Sequence, residues 1–293
     1  MSSAELVGPR SGQRVTSPVV RYRGAFWRLY REEVVLILRR RRNQALLLVL
    51  ALVPLIIGIA VKLSSPRGGD GPQFIGQVTG NGLFLVFTAL TVALPLFLPL
   101  VIGVVSGDCI AGEAGIGTLR YLLTLPVTRT RCLLSKTLAV ATFTAIAVLT
   151  VSLVGLLAGA GLFGLHSVTL LSGDTVSLAD GLLRTALVAG YVTVALFGLA
   201  AAGVLVSTLT ENAIAAMAAT VGIAVLSALL DAVPQLSGIH PILLTDHWLG
   251  FGELLRSSVS APDLLRWTGL HLAYAAIFLS LAYSRFSTKD VTS

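Results

Sequence analysis

The sequence predicts an all-α integral membrane protein with six transmembrane helices, and three observations carry that reading. Of its 293 residues 55% are hydrophobic and only 12% charged, with a mean hydropathy of +0.88, whereas a water-soluble domain carries about a quarter charged residues. The charges are spaced so that long intervals hold no Asp, Glu, Lys or Arg. Such intervals suit lipid, where a charge at mid-depth costs on the order of 3 kcal/mol and about 20 apolar residues make one crossing. The third observation is an uneven sharing of Lys and Arg between alternate loops. Together these exclude an ordinary soluble enzyme and a disordered chain.

Residues 1–23 mix Gly, Pro, Ser and Arg without the apolar stretch of a signal peptide and are expected to form a flexible cytoplasmic tail. Residues 24–43 follow as an interfacial helix. On a helical wheel Phe26, Trp27, Tyr30, Val34, Ile37 and Leu38 share one arc, with Arg28, Arg31, Glu32 and Arg39 opposite, the pattern of a helix lying in the membrane plane. The six-span domain runs over 44–285. Its spans are expected at 45–62, within 71–107 (most apolar at 83–105), and at 138–163, 182–207, 213–230 and 267–283. Pro54, Pro95 and Pro99 fall inside spans and predict kinks. A short tail, 286–293, ends the chain.

Cytoplasmic loops retain Lys and Arg. With the N-terminus inside, sixteen of the 21 basic residues are inside and five (Lys62, Arg67, Arg184, Arg256 and Arg266) outside. The chain is therefore expected to be N-in and C-in, in a prokaryotic inner or plasma membrane. The net charge of +7 reads as this topology signal. A nucleic-acid partner is not expected, since such a site interleaves basic residues with aromatic stacking platforms.

Between the second and third spans lie about 30 residues, Gly107 to Lys136, where a connector needs only a few. Gly112 and Gly115 interrupt the end of the second span, Thr118 is placed to cap a short helix with Leu119, Leu122 and Leu123 on one face, and Pro126 stops it. Thr128 can start the helix that carries Arg129, Arg131 and Lys136 into the third span. This segment resembles the corresponding loop of ABC transporter permeases of the type-2 exporter (ABC-2 membrane) family, in Ala111-Gly-Glu113, Gly117-Thr-Leu119, Leu122-Leu123, Leu125-Pro126-Val127, Arg129 and Lys136, in that order and spacing. The ending Arg285-Phe-Ser-Thr-Lys-Asp-Val291 is similar to the tail of these permeases, and the likeness extends over about 24–293. Ala114-Gly115-Ile116 departs from the family, which more often has charged residues after the Glu.

The resemblance implies a cytoplasmic coupling helix that docks into a separate ABC ATPase subunit, present in two copies and binding ATP and Mg2+, with two permeases paired as a homodimer or heterodimer. Glu113, Thr118, Leu119, Pro126, Arg129 and Lys136 become the expected coupling interface; none is catalytic. It also implies an outer re-entrant segment before the last span. There Asp246 is expected to cap an amphipathic helix whose Trp248, Phe251, Leu254 and Leu255 dip into the outer leaflet. By the same resemblance the second and fifth spans line the substrate path, making Phe84, Phe87, Phe97, Asn212, Met217 and Thr220 its expected lining. The function implied is export of an amphiphilic, drug-like or lipid-like substrate, driven by ATP hydrolysis in the partner.

The residues themselves show no catalytic apparatus. Lys136-Thr137 is the only Lys followed by Ser or Thr, and Arg131-Cys-Leu-Leu-Ser135 before it has no Gly to cradle a phosphate. No cofactor or metal is expected in the chain: His166, His240, His247 and His271 lack ligand spacing, and Cys109 and Cys132 are far apart. Close helix approaches are expected at Gly103-x-x-x-Gly107, Gly155-x-x-x-Gly159 and Gly198-x-x-x-Ala202. The alternatives are an ion-coupled secondary carrier, which needs carboxylates within the spans, and a non-transport scaffold subunit.

Overall fold

A computed structural model describes residues 24–64, 81–117, 128–165, 168–169 and 175–288. Helix α1 (Ala25–Arg39) meets α2 (Arg41–Ser64) at Arg40, whose extended backbone (φ −63°, ψ 121°) breaks the helix. The second crossing is two helices, α3 (Leu83–Ala93) and α4 (Phe97–Gly115). Then come α5 (Arg129–Phe163), α6 (Leu178–Leu209), α7 (Ala213–Asp231) and α8 (Ala261–Thr288). A two-residue antiparallel pair, β1 (Val168–Thr169) with β2 (Thr175–Val176), precedes α6, and three short 3-10 helices lie between α7 and α8. Six of the helices, α2 and α4 to α8, are long and apolar enough to cross a membrane.

Each crossing arises where the sequence offers an uncharged interval, and its ends are set by polar chemistry. Ser177 caps α6 by accepting from the Asp180 amide (3.2 Å), and Asn212 caps α7 by accepting from the Ile214 and Ala215 amides (3.0 and 3.2 Å). The break at Leu94–Leu96 is the kink expected at Pro95. Pro99 then falls in the first turn of α4, where its missing N–H costs nothing because that amide has no intrahelical acceptor. Pro54 sits inside α2, which stays a single helix.

The crossings alternate in direction, so α1 lies at the same end of the bundle as the last turns of α4, α6 and α8 and the first turns of α2, α5 and α7. Helices α4 and α6 form the interior: about two-thirds of their apolar windows (67% in each) are buried inside the chain, against 22% in α7 and 6% in α8. Small residues make this possible. The Gly103/Gly107 pair lies under α7, where a Cβ on Gly107 would come within 2.7 Å of the Met217 backbone nitrogen. Gly159 crosses Gly82 so closely that either Cβ would strike the other's carbonyl, and Gly198 faces Leu244 and Tyr274. All three expected close approaches are thus used within one chain, joining α4 to α7, α5 to the start of α3, and α6 to α8.

Two expectations for 246–256 are corrected. The run forms a 3-10 helix, Trp248–Leu255, and its N-cap is His247 in the left-handed region (φ 62°), not Asp246. Trp248, Phe251, Leu254 and Leu255 are all buried, so their face turns onto the bundle rather than toward surrounding lipid. Gly250 accounts for the difference: it lets the turn settle against Tyr191 Oη and the Trp267 ring, closer than any side chain at that position allows.

Candidate functional site: a charge cluster at the α1 end

The apolar arc of α1 packs on α5, with Glu33 and Ile37 buried and Tyr30, Val34 and Leu38 half-buried; Trp27, at 66% exposed, is the exception. Tyr30 Oη and Thr142 Oγ1 share a hydrogen bond of 2.7 Å. One turn further along α1, Glu33 falls on the same arc, between apolar neighbours. A carboxylate there needs a cation, and α5 supplies Lys136.

Lys136 is 2% exposed, and its Nζ donates to Glu33 Oε1 (2.8 Å) and to Glu113 Oε1 (2.5 Å). One ammonium group thereby joins α1, the last turn of α4 and the second turn of α5. The geometry satisfies the condition for a buried ion, that it be paired and hydrogen-bonded. A second cluster lies beside it. Asp108, on α4, accepts from Arg40 and from Arg42 Nη2 (2.7 Å), so the residue that breaks α1 from α2 is held onto the second crossing. Buried Asn43 donates from Nδ2 to the Ile37 carbonyl (2.8 Å), satisfying one of the acceptors that the end of α1 leaves open, and accepts from Arg42 Nε (3.3 Å). Between the two clusters is a cavity of about 20 Å3, lined in part by Glu33, Arg40, Asp108, Glu113 and Lys136, room for one water.

Two further ties complete this end. Ser207 Oγ on α6 accepts from the Ile110 and Ala111 amides of α4 (2.9 and 2.8 Å). Arg129 Nη1, at the start of α5, donates to the Ser287 and Phe286 carbonyls at the C-terminus of α8 (3.0 and 3.5 Å), where a cation also meets the negative end of the helix dipole.

Of the expected coupling residues, the structure brings Glu113 and Lys136 into direct contact and sets Arg129 on the end of α8. Thr118, Leu119 and Pro126 lie outside the described residues, as do the tail 1–23 and residues 289–293. Of the expected path residues, Phe84, Phe87 and Thr220 are buried within the chain, Phe97 and Met217 are half-buried and Asn212 is exposed. The network members not singled out in the sequence are Glu33, Arg40, Arg42 and Asp108. Glu33 had a legible signal, a carboxylate on an apolar arc; the arginines were submerged in a run of four.

The opposite end is held differently. Tyr191 Oη donates to the His247 carbonyl (2.6 Å) and Arg184 to the Leu254 and Arg256 carbonyls (2.6 and 2.9 Å), fastening the 3-10 segment to α6. Asp246 Oδ2 approaches His247 Nδ1 at 2.5 Å without hydrogen-bond alignment. Burial pushes the Asp246 carboxyl up from the usual carboxylate range, against the opposing pull of His247.

These features define a class: an all-helical integral membrane protein with its charge concentrated at one end of the bundle, around a segment between the second and third crossings. A family model described as ABC-2 family transporter protein matches residues 37–291, and the chain belongs to that family. Among curated proteins none matches. Family membership makes the chain a membrane subunit of a transporter and implies partnership with an ABC ATPase subunit.

Proposed function

We propose that the chain is the permease of an ABC exporter, working as a homodimer or heterodimer of permeases with two ATPase subunits that bind ATP and Mg2+ and hydrolyse ATP in trans. The observation that carries this reading is Lys136, which ties α1, α4 and α5 together on both sides of the segment 118–127. A push on that segment reaches the second and third crossings and α1 as one unit, because moving any one of the three would strand a buried charge. ATP binding closes the ATPases, the segment from Asp108 to Lys136 carries the motion, and the cavity between permeases changes its access; the coupling is the difference in contact between the two states. Thr118, Leu119 and Pro126 sit in the docking segment.

The count of basic residues supports N-in and C-in in a cell inner membrane, with the α1 end cytoplasmic. An amphiphilic, drug-like or lipid-like substrate fits spans whose interior is apolar and small-residue-rich. Phe97, Met217 and Asn212 are accessible to a path between two copies, whereas Phe84, Phe87 and Thr220 are buried within the chain.

The test is purification of the tagged chain from its native membrane in mild detergent. An ABC ATPase is expected to accompany the wild type and to be depleted with Glu113→Ala and with Arg129→Ala, scored per folded permease. Absence of any ATPase from the wild type, even after crosslinking, overturns the proposal.

A further inference from the structure

The run Arg39-Arg-Arg-Arg42 divides in two. Arg40 and Arg42 turn onto Asp108, whereas Arg39 and Arg41 are exposed and have no hydrogen bond or ion pair among the described residues. The cause is the backbone at Arg40: an extended residue between two helices sends its own side chain to one side and its neighbours' to the other. Two exposed guanidinium groups are thereby left free at the junction of α1 and α2, and such planar forks of donors suit a phosphate.

The surface beside them is not that of a water-facing helix. Trp27, Arg31, Val35 and Arg39 follow one another at four-residue intervals along the exposed stripe of α1, and Leu36 flanks them. Trp27 is 66%, Val35 38% and Leu36 46% exposed, and Arg31 is exposed and unpaired among the described residues. Exposed Leu48, Leu52 and Ile56 continue the apolar surface up α2, the first membrane crossing. Guanidinium, aliphatic and indole groups thus alternate where a headgroup meets its acyl chains. Over α1, the residues 40–42 and the two charge clusters they join, seven basic residues (Arg28, Arg31, Arg39, Arg40, Arg41, Arg42 and Lys136) stand against four acidic ones (Glu32, Glu33, Asp108 and Glu113), so the surface favours an anion.

We propose that Arg39 and Arg41 bind the phosphate of an anionic phospholipid whose acyl chains lie over Val35 and Leu36. A basic cluster beside a membrane crossing attracts anionic headgroups residue by residue. Here the structure names which arginines of the run are available and which are occupied. The bound lipid clamps α1 from outside while Lys136 and Asp108 hold it from inside.

The test uses the full-length chain in nanodiscs containing equal phosphatidylglycerol and phosphatidylcholine, released into native mass spectrometry. Wild type is expected to retain phosphatidylglycerol over phosphatidylcholine by about 30-fold, the factor that two basic residues give. Arg39→Gln/Arg41→Gln should bring the ratio near 1, Arg39→Lys/Arg41→Lys should keep most of it, and Arg256→Gln at the other end should leave it unchanged. Thermal unfolding of each variant confirms that α1 is in place. A preference that survives Arg39→Gln/Arg41→Gln overturns the proposal. So does displacement of the lipid by about 10 mM inorganic phosphate, the mark of a free-phosphate site, or loss of a bound ATPase from the double variant in pure phosphatidylcholine, the mark of a protein contact.

Discussion

Replacing Lys136 by Met keeps most of the apolar stem and removes the ammonium group, with its charge and the two hydrogen bonds it donates. At 2.8 and 2.5 Å, and with an effective dielectric of about 20, each carboxylate attracts the ammonium group by about 6 kcal/mol before desolvation is counted. Desolvation cancels several kcal/mol per ion, so the triad itself contributes little net stability. Its removal from one side is another matter, since Glu33 and Glu113 both lose the ammonium group they share. The cost is expected to be about 3–5 kcal/mol, lowering Tm by roughly 10 °C. The free thiols of Cys109 and Cys132 provide the assay, because a thiol-reactive fluorophore reports unfolding in detergent and buried Cys132 lies one turn before Lys136. Lys136→Met/Glu33→Gln/Glu113→Gln should recover most of the loss by removing the stranded charges. A Lys136→Met protein melting within about 1 °C of wild type refutes the reasoning, for then the ammonium is not what satisfies these carboxylates.

Three other outcomes follow from the packing and the ends of the bundle. Gly159→Ala places a Cβ about 2.1 Å from the Gly82 carbonyl and is expected to destabilise by at least about 1–3 kcal/mol, while Gly161→Ala, two residues on with open space around it, should gain about 0.5 kcal/mol; the same thermal assay ranks them. Ser207→Ala leaves the Ile110 and Ala111 amides without that acceptor, at about 1–3 kcal/mol, and amide hydrogen exchange should quicken at those two residues alone. Because the Asp246 carboxyl is raised by burial, ionising it opposes the fold: its contribution is favourable below the unfolded value of about 3.9 and is lost as pH rises through the raised folded value. Asp246→Asn is therefore expected to raise Tm at pH 7, with the difference vanishing near pH 4.

The crossings were legible because lipid imposes one rule on the whole chain, and uncharged intervals obey it visibly. The glycine and alanine spacings were legible as close contacts, but their partners were not, since a small-residue face does not say whether another helix or another copy will cover it; here Gly107, Gly159 and Gly198 all met helices of their own chain. The 3-10 geometry of 248–255 escaped the wheel because the apolar residues suit either helix, and the deciding contact, Gly250 against Tyr191 and Trp267, joins segments far apart in sequence. At the site, Glu113 and Lys136 were found through the family's motif, whereas Glu33 and Asp108 depended on how α1 folds back at Arg40. That turn, one extended residue between two helices, is also what sorts four successive arginines into two structural and two free ones.

In the proposed function the ATPase engages the bundle at the α1 end. Ile116, at the end of α4, and Ile242, between α7 and α8, are similarly exposed (73% and 70%) and lie at opposite ends of the molecule. A photo-crosslinking amino acid introduced at each position in the native membrane makes the comparison direct. Crosslinking of an ABC ATPase from position 116 and none from position 242 is the expected result; a crosslink from 242, or none from 116 in cells that contain the ATPase, contradicts it.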